Sequence, residues 1–278
     1  MSLCEVCFRH CKLDEGAIGF CGARVCRDGR VVADNYGYVT SLALDPIEKK
    51  PLNRFFPGSR ILSVGSYGCN LRCPFCQNSE ISWGKEVALF REDARFIDPE
   101  ELVNIALRYQ DIGNIGIAFT YNEPLVGYEF VLDTAKLSHE KGLKNVIVSN
   151  GTAELDILFD ILPYIDAMNI DLKCFNSDTY KNVLGGDFEM TKLFIREASK
   201  KAHVELTTLI VPGINDSADE MREESEWIAS ISDEIPLHVS RFHPCFHMTD
   251  RGPTPVSTVY GLAEIAKEKL KYVYTGNC

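Results

Sequence analysis

Three cysteines stand within eight residues of one another in YGCNLRCPFCQNSEIS, residues 67–82. They are Cys69, Cys73 and Cys76, spaced C-x3-C-x2-C. Thiolates at this spacing bind soft metals, and the number of ligands decides which chemistry follows. A structural zinc site closes with four ligands, and an ordinary iron–sulfur cluster also takes four thiolates. Three cysteines hold three irons of a [4Fe–4S] cube and leave the fourth iron open to another molecule.

A second set lies at the N-terminus. Cys4, Cys7, Cys11 and Cys21 are spaced C-x2-C-x3-C-x9-C, with Cys26 close behind. Zinc is the plainest ligand for such a set, a second iron–sulfur cluster the more consequential one, and reduced thiols without metal the third reading. All three stay open. The chain has 11 cysteines. Its opening residues, MSLCEVCFRHCKLDEG, lack the apolar core of a signal peptide, so a cytoplasmic protein is expected. In that compartment clustered cysteines read as metal ligands rather than disulfides. Cys174, Cys245 and Cys278 have no assigned role: the first two follow rim motifs and read as small apolar residues, with a place facing the active-site cavity as the alternative, and Cys278, the last residue, is expected to be exposed.

These residues need a frame. The chain has 278 residues, 45% apolar and 25% charged, enough for a large core and ordinary for a globular fold. A net charge of −11 argues against nucleic-acid and anionic-membrane partners. No stretch approaches the ~20 apolar residues of a membrane helix. Strand and helix patterns alternate from residue 60 onward. Strands are expected at 60–66, 114–120, 144–149, 167–173, 204–211 and 236–242, with helices at 98–111, 128–141, 154–165, 188–201, 217–231 and 257–270. KYVYT (271–275) is a candidate last strand. Asp28-Gly29 marks a hairpin in the head, and DPIEKKPLNRFFPGS (45–59) reads as a surface loop. Six βα units define an α/β fold, a partial (β/α)6 TIM-like barrel with a small Cys-rich N-terminal extension. The expected division is 1–58 for head, hairpin and connector, and 59–278 for the barrel. The polar motifs TYNEP, SNG, DLK and FHP all fall at C-terminal strand ends, where such barrels carry their chemistry.

CNLRCPFC after a first strand resembles the signature of radical S-adenosylmethionine (SAM) enzymes. The resemblance implies a [4Fe–4S] cluster on Cys69, Cys73 and Cys76, with SAM chelating the open iron and reductive cleavage giving a 5′-deoxyadenosyl radical that abstracts hydrogen. It implies Phe75 near the adenine, Asn122 and Glu123 at the SAM ammonium, Ser149 and Asn150 in a third-strand contact, Asp171 and Lys173 at the SAM carboxylate, and His243 near the ribose. Tyr121 and Asn122 replace two glycines of the family's usual segment, and Val148 stands where several activases carry an acid. DPIEKKPLNRFFPGS, CQNSEIS, TTLIVPGIND and RFHP resemble the AmmeMemoRadiSam branch, related to pyruvate formate-lyase-activating enzymes. The resemblance implies flavodoxin or ferredoxin as reductant and a glycyl radical enzyme or other protein as substrate. Two alternatives accompany it: a radical peptide- or small-molecule-modifying enzyme with an auxiliary metal site in the head, and a non-catalytic iron–sulfur electron-transfer or metal-binding module.

Overall fold

The computed structural model describes residues 1–84 and 86–278. Its centre is one eight-stranded sheet whose strands lie side by side in chain order. They are β1 (Ser41–Pro46), β2 (Arg60–Gly65), β3 (Asn114–Phe119), β4 (Lys144–Ser149), β5 (Ala167–Asp171), β6 (His203–Ile210), β7 (Leu237–Arg241) and β8 (Val273–Gly276). β2 to β8 run parallel, and β1 pairs antiparallel with β2. The six connections within the parallel set carry α1 (Pro99–Arg108), α2 (Tyr128–Glu140), α3 (Leu155–Ile161), α4 (Phe188–Ala198), α5 (Ala218–Ile231) and α6 (Val256–Lys267). The expected partial (β/α)6 architecture is present, and KYVYT contributes the last strand.

Local chemistry sets the helix starts. Asp98 accepts the Glu101 N–H at 2.9 Å and Pro99 opens α1, while Asp187 caps α4 through the Met190 N–H at 2.9 Å. Several helices end earlier than their patterns suggest. α1 gives way to a 3-10 turn at Gln110–Ile112, and α3 to one at Leu162–Tyr164, where Pro163 removes an N–H.

Strand alternation sorts the sheet into two faces. Leu62, Ile117, Ile147 and Met168 share the main core with the helices. Ile61, Ala118, Val146 and Ala167, one residue out of phase, face the other way, towards the barrel interior. The segment expected as a surface loop covers them. Ile47 and Leu52 are fully buried and Phe55 nearly so, and Glu205 accepts the N–H groups of Asn53 (3.0 Å) and Arg54 (2.7 Å) from β6. The connector is a plug inside the barrel, and β1 just before it adds an edge strand to the sheet. The sheet pairing between β1 and β2 therefore spans residue 58.

The head is a pair of small ribbons. Ser2–Leu3 pairs with Lys12–Leu13, and Arg24–Arg27 with Arg30–Ala33. Asp28 and Gly29 both take positive φ (52° and 70°), as a two-residue hairpin turn of the expected kind requires. The head docks on the barrel through the Cys7–Ala153 bridge and the Glu154 N–H bond to the Val6 carbonyl (3.0 Å). No helix among the described residues is long and apolar enough to cross a membrane.

Candidate active site

The cysteine loop leaves β2 at Gly65 and passes between barrel and head. Only glycine fits at Gly65, where an added Cβ would lie 2.7 Å from the Tyr121 ring. Gly68 sits at φ +97° with Ala23 and the Cys21 carbonyl against it, so the head approaches the loop at backbone distance. The Cys69 N–H donates to the Cys21 carbonyl (3.1 Å) and the Arg72 N–H to the Leu184 carbonyl (2.8 Å). These bonds fix the loop from two sides. Two donors point at the Cys69 sulfur: the Leu71 N–H at 3.4 Å and the Asn150 amide at 3.7 Å.

Burial raises all three thiol pKa values, that of Cys73 to about 11 and that of Cys69 well above the usual range. The Lys173 ammonium opposes the rise at Cys73 and Cys76. Thiols in such a place ionise when a metal supplies positive charge. Among the described residues, no three His, Cys, Asp or Glu side chains stand where a single metal ion would take all of them. The donor set fits an iron–sulfur cluster instead: three soft ligands on one loop, N–H···S donors already aimed, and a cation beside them.

The rim around the loop is a connected polar network. The Glu123 carboxylate, 4% exposed, accepts from the Asn150 N–H (2.8 Å), the Ser149 hydroxyl (2.9 Å) and the Leu125 N–H (3.1 Å). Burial outweighs these bonds and lifts its pKa to about 7. Asn122 accepts the Ser66 N–H (3.0 Å) and donates to the Gly68 carbonyl (3.1 Å), tying β3 to the start of the cysteine loop. Asn150 donates to the Asn70 side chain (2.9 Å), which donates to Thr152 (2.8 Å). Sequence reading overlooked Asn70 and Thr152. The available signal was position: one lies inside the cysteine motif, the other directly after SNG. The glycine-like backbone is kept at Tyr121 (φ +74°), whose hydroxyl donates to Asp45 at 2.8 Å.

Asp171 and Lys173 extend the inner face of β5 past its end. Lys173 donates to Asp171 at 2.7 Å, with 19% and 31% of their side chains exposed. Burial alone would lower the Lys173 pKa, but Asp171 and Cys73 together hold it above the ordinary lysine value. Phe75 is buried edge-on against Phe242, ring centroids 6.4 Å apart. Cys245, left without a role from sequence, donates its S–H to the Phe75 carbonyl (3.1 Å) and so joins the β7 end to the loop. Cys174 is buried at 1% exposure. His243 is exposed, with its Nε2 3.4 Å from the Asn277 carbonyl beyond β8. The structure thus brings Cys69, Cys73, Cys76, Glu123, Ser149, Asn150, Asp171 and Lys173 to one rim. It uses the polar atoms of Asn122 within the protein and leaves His243 on the outer edge.

The Radical SAM superfamily pattern matches residues 63–226. An uncharacterized protein of Methanocaldococcus jannaschii, MJ0808, is 43% identical over 278 residues, 99% of this chain and 80% of that one. The pyruvate formate-lyase-activating enzyme of Clostridium pasteurianum is 27% identical over 194 residues, 67% of this chain and 76% of that one. Among solved structures, a radical SAM methyltransferase from Sphaerobacter thermophilus superimposes with a TM-score of 0.59 at 14% identity, over 80% of this chain and 67% of that one. The chain belongs to the radical SAM superfamily.

Proposed function

We propose that this protein is a hydrogen-abstracting radical SAM enzyme acting on a glycine of a protein partner, a reading supported by its similarity to glycyl-radical activating enzymes. The observation that carries the reading is the rim itself: three thiols on one loop, Cys73 buried and Cys69 and Cys76 half-buried, with an Asp–Lys pair beside Cys73 and a buried carboxylate beside Cys69. When bound, a [4Fe–4S] cluster with SAM supplies a one-electron cleavage of the sulfonium and a 5′-deoxyadenosyl radical. Cys69, Cys73 and Cys76 hold the cluster, and three ligands leave one position for SAM. Lys173 pairs with the SAM carboxylate as a charged donor, and Asp171 keeps the ammonium aimed. Glu123 supplies negative charge near the SAM amine while bracing the Ser149–Asn150 turn by accepting the Ser149 hydroxyl and the Asn150 N–H. Asn122 braces the loop from below, Phe75 forms an apolar wall for the adenine, and His243 lies at the ribose edge. A flavodoxin or ferredoxin supplies the electron.

The test is anaerobic reconstitution with iron and sulfide, followed by SAM and dithionite, with 5′-deoxyadenosine measured by chromatography. Wild type forms the nucleoside and Cys73→Ala does not. A glycine-centred radical in the partner, seen by electron paramagnetic resonance (EPR), identifies the hydrogen donor. Nucleoside formation unaffected by Cys73→Ala sinks the assignment of the loop.

A further inference from the structure

The head cysteines gather at the back of the same loop. Cys4, Cys7, Cys11 and Cys21 line one small buried cavity, which Arg9 and Asn70 help to close. Three of the four thiols are buried. The turn that presents them is fixed by its own backbone: the Cys4 N–H donates to the Cys11 carbonyl (2.9 Å), and the His10 N–H to the Cys7 carbonyl (3.1 Å) with His10 at φ +39°. Cys26, the fifth head cysteine, is directed elsewhere, towards Glu15 at 3.8 Å.

The surroundings suit an anionic thiolate centre. Arg9 donates to the Asn70 carbonyl at 2.8 Å, and Arg72 donates to the Cys69 carbonyl at 2.9 Å. Both guanidinium groups lie over the Phe20 ring, 3.4 Å and 3.8 Å from its centroid. One cation thus lines the head cavity, and the other bonds the loop backbone at Cys69. Buried thiolate sets need such compensation. The four thiols line a cavity, and among the described residues no three such side chains stand where one metal ion would take them all, whereas tetrahedral zinc would draw four sulfurs to edges of about 3.8 Å. The contact between the sets is short: a head cysteine, Cys21, accepts through its carbonyl from the N–H of a loop cysteine, Cys69, at 3.1 Å. Asn70 lines the head cavity and bonds Asn150, which donates to the Cys69 sulfur.

We propose that Cys4, Cys7, Cys11 and Cys21 hold a second [4Fe–4S] cluster that relays single electrons to the loop site across the Cys21–Cys69 contact. The relay half rests on the reading of the loop given above; the cluster itself does not. A low-potential flavin or iron–sulfur protein gives up one electron, the head cluster takes it and passes it on, and the loop cluster gains it. No bond or proton changes, and the head cluster returns to its starting state.

Iron, sulfide and zinc are counted per chain after anaerobic reconstitution. About eight irons are expected in wild type and in Cys26→Ala, and about four in Cys7→Ala. A Cys69→Ala/Cys73→Ala/Cys76→Ala protein retains about four, which reads the head alone whatever the loop does. Four irons in wild type, zinc in the head, or an iron-free triple variant overturns the cluster. For the relay, 5′-deoxyadenosine formation in Cys7→Ala falls about tenfold or more with a flavodoxin as donor, while the dithionite-driven rate stays within about twofold. A rate unchanged with flavodoxin, or lost equally with both reductants, overturns the relay.

Discussion

Replacing Glu205 by Gln tests how the barrel is plugged, far from any cofactor. Glu205 is fully buried and accepts four bonds. One oxygen takes the Arg54 N–H (2.7 Å) and the His203 Nε2 (2.9 Å); the other takes the Asn53 N–H (3.0 Å) and the His238 Nε2 (2.7 Å). Burial alone would raise its pKa, but these four partners outweigh burial and hold it at about 2. Set against the ordinary 4.5, the drop corresponds to about 3 kcal/mol of stability at neutral pH. Because the folded pKa lies below the unfolded one, this contribution is present above pH 4.5 and lost as pH falls towards 2. By pH 3.5 about 1.4 kcal/mol of it is gone. In Glu205→Gln the amide NH2 faces a backbone N–H wherever it is placed, so that bond fails and a buried backbone N–H is stranded. The expected loss is about 3 kcal/mol at pH 7. Urea unfolding followed by tryptophan fluorescence reads both quantities: a lower midpoint at pH 7, and a smaller further loss on acidification than wild type shows. Equal midpoints at pH 7, or parallel losses down to pH 3.5, would refute the account of the plug.

Three further outcomes are expected. Lys173→Met raises the Kd for SAM about tenfold in equilibrium dialysis while iron content is kept, since a charged hydrogen bond is lost but no thiol is. Glu224 is buried with Thr208 as its only side-chain partner among the described residues, and burial raises its pKa to about 8. A folded pKa above the unfolded one makes stability fall as pH rises from 4.5 through 8, by about 3 kcal/mol between pH 4.5 and 7; Glu224→Gln removes that slope in urea unfolding. Gly68→Ala places a methyl 2.6 Å from the Ala23 side chain, which drives the head off the loop and exposes Cys4, Cys7 and Cys21 to alkylation, read by mass spectrometry.

The superfamily and the order of the barrel were legible because both rest on strong local signals. C-x3-C-x2-C is a ligand spacing, and apolar strands such as KNVIVS and AMNIDLK end directly in polar motifs. The plug was not legible. Ile47, Leu52 and Phe55 are separated by a glutamate, two lysines, a proline, an asparagine and an arginine, so no helical or strand period marks them as buried. Their burial depends on an inner sheet face that exists only after the strands assemble. Glu205 and Glu224 were hidden for the same reason. An acid in a strand or helix reads as exposed until the tertiary structure brings its donors.

The roles of Asn122 and Glu123 show where a motif match stops short of geometry. The resemblance places both at the SAM ammonium, yet in this fold Asn122 spends its amide on Ser66 and Gly68, and Glu123 spends most of its lone pairs on Leu125, Ser149 and Asn150. Glu123 therefore acts on a bound cation chiefly through charge at short range, whereas Asn122 acts through the position of the loop. The two effects separate experimentally. Charge removal weakens cation binding and leaves the loop in place, while loss of the Asn122 brace frees the start of the cysteine loop and costs cluster retention. The same division applies to the head. Its Arg9 and Arg72 bonds hold the loop backbone whether or not the head is metallated, so the contact that orders Cys69 is built into the protein before any electron crosses it.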